Sequence, residues 1–198
     1  MTPTLETERL LLRPLQLEDA EQTQPLVAQW EVVQFLNAIV PWPYPADGAH
    51  TYYRDVALPA VERGDEWAWT LRLKTSPDKI IGALSLTRGE DDNRGFWLAP
   101  AFHGRGLMTE AVIAANDFWF DVLGFTRLRV PKAVANIASR RISEKTGMRI
   151  IATEDRDFVA GRLPAEIWEI TADEWRAHRA GFTSPVTGNM QANKRRLS

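Results

Sequence analysis

The spacing of hydrophobic and polar residues along the chain predicts a mixture of strands and helices. Short runs rich in β-branched, leucine and aromatic residues, several bounded by Pro, Gly, Asn or Asp, are typical of strands. Apolar residues that recur every three or four positions predict amphipathic helices. The predicted strands are 9–13, 67–73, 80–86, 95–98, 127–134, 148–153 and 166–171, and the predicted helical regions are 17–30, 46–62, 106–123, 136–146 and 173–179.

The order of these elements predicts an α/β (α+β) fold. Strands dominate first, then a strand–helix–strand–helix unit follows, then a strand pair, which favours a mixed sheet with helices on both faces. We expect a turn at 76–78 and a kink or helix end at Pro59. Residues 1–183 are expected to form a single domain, and the polar residues 184–198 a flexible tail.

Composition excludes several functional classes. A net charge of −2 gives no general attraction to nucleic acid or to an anionic membrane. The absence of cysteine excludes a disulfide scaffold, a thiolate zinc site and a cysteine nucleophile, and is compatible with the cytoplasmic location that we expect. Three scattered histidines argue against a histidine metal cluster. The start of the chain lacks the features of a signal peptide, and no apolar run approaches the roughly 20 residues of a membrane helix.

The strongest chemical signal is a glycine loop between a short strand and an amphipathic helix. Gly104 and Gly106 flank Arg105 directly ahead of that helix. Such a junction exposes backbone N–H groups at the positive end of the helix dipole, which suits a phosphate or pyrophosphate. The loop lacks the third glycine of a dinucleotide-binding fingerprint, because Thr109 stands there, and it lacks the Gly-Lys-Ser/Thr of a P-loop. The alternative is a plain strand–helix turn whose glycines only relieve strain.

Four segments in order carry a family resemblance. They are TERLLLRP at 7–14, IIGALSL at 80–86, WLAP with HGRGLMTEA between 97 and 111, and NIASRRISEKTGM at 136–148. Together they resemble the GCN5-related N-acetyltransferase (GNAT) superfamily, and are most similar to the branch of the ribosomal-protein N-terminal (alanine/serine) acetyltransferases. His103 stands where the superfamily usually has Gln or Arg, and Met108 where it usually has Gly or Ala.

The resemblance implies a mostly antiparallel sheet of about six to seven strands with a splayed central pair. It also implies acetyl-CoA as co-substrate, no metal, and a catalytic N–H at Leu98 that polarises the thioester carbonyl. Asn136 would bind the cofactor arm and Ser139 would lie near the CoA sulfur, although the two also fit an ordinary helix cap. The expected cofactor contacts are Phe96, Trp97, Leu98, His103, Gly104, Arg105, Gly106, Leu107, Met108, Thr109, Asn136 and Ser139.

The acceptor amine must be neutral when it attacks, so a general base or a water relay is needed. The candidates are Glu90, Asp91 and Asp92, of which Asp92 is the catalytic choice, although a charged turn is usually only solvated. Glu110 is expected to favour the helix dipole.

Aromatic residues of the N-terminal half are expected to bind the acceptor. Trp42, Tyr44 and Tyr52 are the chosen substrate contacts, helped by the connection 155–164. Trp30 is expected to fill the core or an oligomer interface instead.

The predicted function is acetyl-CoA-dependent acetylation of a primary amine, either a small molecule or a protein N-terminus. No basic stripe suggests ribosome docking, which slightly favours a small amine. A non-catalytic acyl-CoA sensor is the alternative, a nucleotide-binding protein is a third class, and a homodimer is possible.

Overall fold

Two antiparallel sheets form the frame of the computed structural model, which describes residues 1–183. The first sheet has five strands in the order β1-β2-β3-β4-β5, and the second has three in the order β6-β8-β7. The strands are β1 (Leu5–Glu6), β2 (Leu10–Pro14), β3 (Glu66–Leu73), β4 (Ser76–Thr87), β5 (Arg94–Leu98), β6 (Arg127–Ala133), β7 (Arg149–Phe158) and β8 (Gly161–Thr171).

Helices cover both faces of the sheets, as predicted. No helix within residues 1–183 is both long and apolar enough to cross a membrane. The helices are α1 (Asp19–Val27), α2 (Trp30–Val33), α3 (Gly48–Tyr52), α4 (Leu58–Arg63), α5 (Leu107–Asp117), α6 (Ile137–Lys145) and α7 (Ala172–Thr183), with π-helical segments at Tyr53–Ala57 and Phe118–Val122 and a short 3₁₀ helix at Pro100–Phe102.

Strand β3 shows how the core is divided between the two helical layers. Trp67 and Trp69 pack in the same hydrophobic cluster as Ala111 of α5, whereas Ala68 packs with Tyr53 on the opposite side. Successive side chains of a strand point to opposite faces, so a strand buried on both sides is apolar at consecutive positions.

The predicted splayed pair is confirmed, and it consists of β5 and β6. The Asn93 N–H donates to the Arg129 carbonyl at 2.7 Å, and the Arg129 N–H donates to Asn93 Oδ1 at 2.8 Å. Beyond these bonds the two strands belong to different sheets, which leaves a slot between them. Gly82 holds β4 against β5, because a Cβ there would lie 2.5 Å from the Trp97 carbonyl oxygen.

The N-terminal elements differ from the sequence predictions in three places. The predicted turn at 76–78 lies inside β4, because the hairpin turns earlier, with Leu73 facing Ser76. The helix predicted over 17–30 is broken between α1 and α2. A kink or helix end was predicted at Pro59, and the structure has the π-helical segment Tyr53–Ala57 just before it.

The prediction that residues 155–164 form a connection is wrong, because most of these residues continue the hairpin of β7 and β8. Its polar residues lie on exposed strand ends, where Asp157 and Arg162 face each other across the hairpin. The predicted tail at 184–198 lies outside the described residues.

Candidate active site

The open edge of β5 faces the slot. The register places Leu98 opposite Gly82, and the Ala99 N–H donates to the Ile81 carbonyl at 2.8 Å. Hydrogen-bonded and non-hydrogen-bonded pairs alternate along an antiparallel ladder, so the N–H groups of Phe96 and Leu98 turn away from β4. They therefore point towards β6 and are available to a ligand in the slot.

The glycine loop forms an anion cradle at the start of α5. Gly104 and Gly106 have φ angles of +73° and +75°, a region that residues with a side chain rarely adopt. The first intrahelical bond of α5 runs from the Glu110 N–H to the Gly106 carbonyl at 3.1 Å. The N–H groups of Leu107 and of the next two residues precede that bond and lack an intrahelical partner.

The side chains of the cradle residues differ in their exposure. Leu107 and Met108 are 1% and 5% exposed and belong to the core, so only their backbones face a ligand. Thr109 is half-buried, and Arg105 is exposed with its guanidinium 5.6 Å from the Phe102 ring centroid.

Glu110 fastens the loop to the turn between β1 and β2, in addition to lying near the positive end of the α5 dipole. Its carboxylate accepts from Thr7 Oγ1 at 2.5 Å, from the Arg9 N–H at 2.8 Å and from Arg9 Nε at 2.6 Å. Arg9 also donates to the Arg105 carbonyl at 2.9 Å. Burial acts to raise the pKa of Glu110, but these hydrogen bonds and the charge of Arg9 outweigh it and lower that pKa. The carboxylate therefore stays charged and holds the loop.

The His103 side chain turns back towards β5, although His103 is exposed to solvent. Its Nε2 lies 2.7 Å from the Leu98 carbonyl oxygen, so the tautomer with a proton on Nε2 donates there. The side chain that departs from the superfamily pattern thus contacts the strand of the slot.

Asn136 and Ser139 meet at the start of α6. The Ser139 N–H donates to Asn136 Oδ1 at 3.1 Å, which confirms Asn136 as the N-cap. The Ser139 hydroxyl accepts from Lys132 Nζ at 2.5 Å. Sequence reasoning missed Lys132; the available signal was a lone cation inside the otherwise apolar end of a predicted strand.

Lys132 lies inside the slot and is 6% exposed. Its Nζ lies 4.9 Å from the centroid of the Phe96 ring, so its amine reaches from β6 to β5. Burial first, and then the charge of Arg94, hold the pKa of Lys132 well below its usual value, and Asp92 only partly opposes them.

Arg94 is itself buried, with 3% exposure, and donates to Asn116 Oδ1 at 2.6 Å. Burial lowers its pKa to about 9. It therefore places a second cation beneath the slot.

The three carboxylates of the turn before β5 differ in their surroundings. Glu90 is exposed, and Asp91 forms an ion pair with Arg129 at 3.4 Å. Asp92 has a left-handed backbone, with φ at +57°. Asp92 is exposed, but the neighbouring protein displaces enough water to raise the pKa of its carboxyl, against the opposing charges of Arg156 and Lys132.

Among the expected acceptor residues, Tyr44 lies on the other face of β5. Trp97 and Tyr44 both pack against the cluster of Val27, Val32 and Val33. The Trp97 side chain is thus separated from the Phe96 and Leu98 side chains, which belong to the opposite core.

Aromatic side chains remain exposed near this face. Trp30 and Trp42 lie with ring centroids 5.4 Å apart and are 41% and 44% exposed. Trp30 therefore does not fill the core, and its alternative place at an oligomer interface stays a prediction. Tyr52 is 43% exposed, and desolvation, followed by Glu66 and Tyr44, raises its pKa to about 12.

The tip of the β7–β8 hairpin packs against the segment that follows α2. The Val159 N–H donates to the Leu36 carbonyl and the Ala160 N–H to the Gln34 carbonyl, each at 3.0 Å. The segment after α2 is therefore fixed against the second sheet and forms a wall of the acceptor side.

The site suits the acetyl-CoA implied by the resemblance. The cradle at α5 provides unpaired N–H donors for a pyrophosphate. Ser139 lies at the slot between β5 and β6, because Lys132 of β6 contacts both Ser139 and Phe96 of β5. Within the described part of the chain, no cluster of three or more His, Cys, Asp and Glu residues could hold a metal ion.

Comparisons with known proteins agree with this geometry. The sequence model of the family "Acetyltransferase (GNAT) domain" matches residues 9–149. The chain is 29% identical over 153 residues to "Probable N-acetyltransferase YjcK" of Bacillus subtilis (strain 168), which covers 72% of this chain and 82% of that protein.

Two solved structures have a similar fold. The ribosomal-protein-S5-alanine acetyltransferase from Vibrio fischeri matches with a TM-score of 0.73 and 15% identity, over 87% of this chain and 98% of that chain. Mycobacterium smegmatis RimJ in complex with CoA-disulfide matches with a TM-score of 0.70 and 19% identity, over 87% and 89%. The family match includes β5, the glycine loop and α6, so acetyl-CoA is the co-substrate and the activity is N-acetyl transfer. The chain belongs to the GNAT family of acetyltransferases.

Proposed function

We propose that the acceptor is the α-amino group of a protein or peptide N-terminus. The observation that carries this proposal is the exposed apolar surface on the acceptor side of β5, where Trp30, Trp42 and Tyr52 each expose more than two fifths of their surface. Aromatic surface of this kind suits the side chains of a peptide, because a flexible small cation has little apolar area to bury. The names of two structures of similar fold, the Vibrio fischeri enzyme and a RimL ribosomal L7/L12 alpha-N-protein acetyltransferase, point to the same acceptor class.

In this proposal acetyl-CoA and the acceptor amine bind on different faces of β5, and their reacting atoms meet at one point. The N–H groups at the start of α5 hold the pyrophosphate, and the Leu98 N–H donates to the thioester carbonyl oxygen as charge develops there. The amine nitrogen attacks the carbonyl carbon and loses a proton to the general base as the carbon–sulfur bond breaks. The Ser139 hydroxyl gives its proton to the departing thiolate, and the proton held by the base then returns to Ser139 through solvent. Asn136 holds Ser139 in place by capping α6.

Asp92 stays the predicted base among the three carboxylates. Its raised pKa and its position next to Asn93, where β5 and β6 meet, support this choice over Glu90 and Asp91. Asp91 is already paired with Arg129.

Release of CoA thiol tests the acceptor class. The protein and acetyl-CoA are incubated with hexapeptides that begin with Ala, Ser or Met, with the same peptides blocked at the N-terminus, and with polyamines and amino-acid amides. We expect release only with free N-termini, and mass spectrometry should place one acetyl group on the α-nitrogen. Turnover of small amines and none of peptides would contradict the proposed acceptor. Stabilisation by CoA without turnover of any amine would support the sensor alternative.

A further inference from the structure

The slot contains a buried amine that the proposed mechanism does not yet use. Lys132 lies on β6, donates to the Ser139 hydroxyl at 2.5 Å, and reaches to within 4.9 Å of the Phe96 ring centroid on β5. It therefore spans the slot at the point where Ser139 is placed to meet the CoA sulfur. A lysine is almost never fully buried unless it is paired with a carboxylate.

The charged groups around Lys132 leave it without such a carboxylate partner. From β8, Glu166 stands opposite Lys132 in the register, but Arg140 of α6 binds its carboxylate with two bonds of 2.8 and 3.0 Å. From β5, Arg94 is a second buried cation, and it donates to the neutral Asn116.

The remaining nearby charges lie at the edge of the site. Asp92 attracts Lys132 from the turn before β5, while Arg156 of β7 acts on Asp92 in turn. A buried ammonium with a like charge beside it is destabilised relative to the neutral amine. Lys132 thus has the surroundings of an amine that can accept a proton.

We propose that Lys132, in place of the Asp92 predicted from the sequence, is the proton acceptor of the transfer reaction and returns the proton through Ser139 to the CoA sulfur. The proposal rests on the N-acetyltransferase function above. As the acceptor nitrogen bonds to the acetyl carbon it loses a proton, which the lone pair of Lys132 Nζ takes. The carbon–sulfur bond then breaks, the Ser139 hydroxyl protonates the thiolate, and Lys132 gives its extra proton to the Ser139 oxygen. Both residues end the cycle in their starting states, with the amide and CoA thiol as products.

The charge state of Lys132 can be measured without any substrate. The protein is prepared with lysine labelled with ¹³C at Cε and ¹⁵N at Nζ, and the Lys132 signal is identified by its loss in Lys132→Met. In the free protein at pH 7 we expect the chemical shift of a neutral amine, and a titration midpoint well below those of the other lysines. A Lys132 signal that stays that of an ammonium through pH 9 would overturn the proposal.

Two variants then separate a proton acceptor from a structural donor. Lys132→Met keeps a similar volume, and Lys132→Arg keeps a donor for Ser139 but is a permanent cation that cannot accept a proton near neutral pH. We expect both to lower kcat about 100-fold with an unchanged KM for acetyl-CoA. Both should also lose the rise of kcat with pH that deprotonation of Lys132 is expected to give the wild-type protein. Circular dichroism and melting temperature check folding.

The other outcomes are distinct. Activity retained in Lys132→Arg, or a larger loss in Asp92→Asn than in Lys132→Met, would overturn the role of Lys132. If the wild-type protein acetylates no amine while Lys132 titrates as neutral, the proposed function fails and the assignment of the neutral amine stands.

Discussion

The two sides of β5 are built in different ways. On the cofactor side, the glycine loop, the start of α5 and the cap of α6 follow from residues close together in the sequence, such as Asn136 and Ser139. On the acceptor side, Trp97 meets residues of α1 and α2 that lie more than 60 positions away, and the hairpin tip closes the wall. Local geometry thus supports binding of the common substrate, while distant elements form the surface that we propose binds the acceptor amine.

This comparison predicts that a change in the loop removes cofactor binding and leaves the fold intact. Gly106→Glu should weaken CoA binding about 1,000-fold, because a carboxylate would enter the anion cradle. Isothermal titration calorimetry measures the loss. Gly64→Glu is the matched control, since Gly64 has a similar φ of +77° at the end of α4 and open space around it. Equal losses in both variants, or none in Gly106→Glu, would contradict the loop assignment.

Within the cofactor side, Ser139 should affect chemistry more than binding. Ser139→Ala should lower kcat about 100-fold, because the thiolate loses its proton donor, with CoA affinity nearly unchanged. Steady-state kinetics and calorimetry measure the two quantities. Ser143→Ala is the matched control, one turn further along α6, since the buried Ser143 hydroxyl has no hydrogen-bond partner among the described residues. A Ser139→Ala variant with normal turnover would remove this residue from the mechanism.

The same contrast explains what could be predicted from the sequence. The cradle and the cap were predictable, because a positive φ at Gly106 and a side-chain cap at Asn136 are local properties. Lys132 was missed because its burial depends on the packing of β5 and α6 around it. Trp30 was expected in the core or at an oligomer interface; the helix is broken after α1, and Trp30 is exposed at the start of α2.

On the acceptor side, removal of an exposed aromatic ring should affect only the second substrate. Trp42→Ala should raise the KM for an accepted peptide about tenfold through the lost apolar contact, with the KM for acetyl-CoA unchanged. Val122→Ala is the matched control, because Val122 is 70% exposed and lies beyond the C-terminal end of α5. If the KM for acetyl-CoA rose as much as that for the peptide, the two faces of β5 would not be separate in function.

The smallest effect concerns Arg94, which lies on the α5 side of β5 and acts on Lys132 through its charge. Its charge lowers the pKa of Lys132, so Arg94→Met should raise that pKa towards its usual value. If neutral Lys132 is the active form, the rise of kcat with pH should move to higher pH, with a few-fold loss at pH 7 that disappears in alkaline solution. A pH profile of kcat measures the shift, and the labelled Lys132 signal measures its cause. Asn116→Ala is the control, since it removes the partner of Arg94 at 2.6 Å and keeps the charge. If Asn116→Ala moved the profile as far as Arg94→Met, packing rather than charge would set the proton affinity of Lys132.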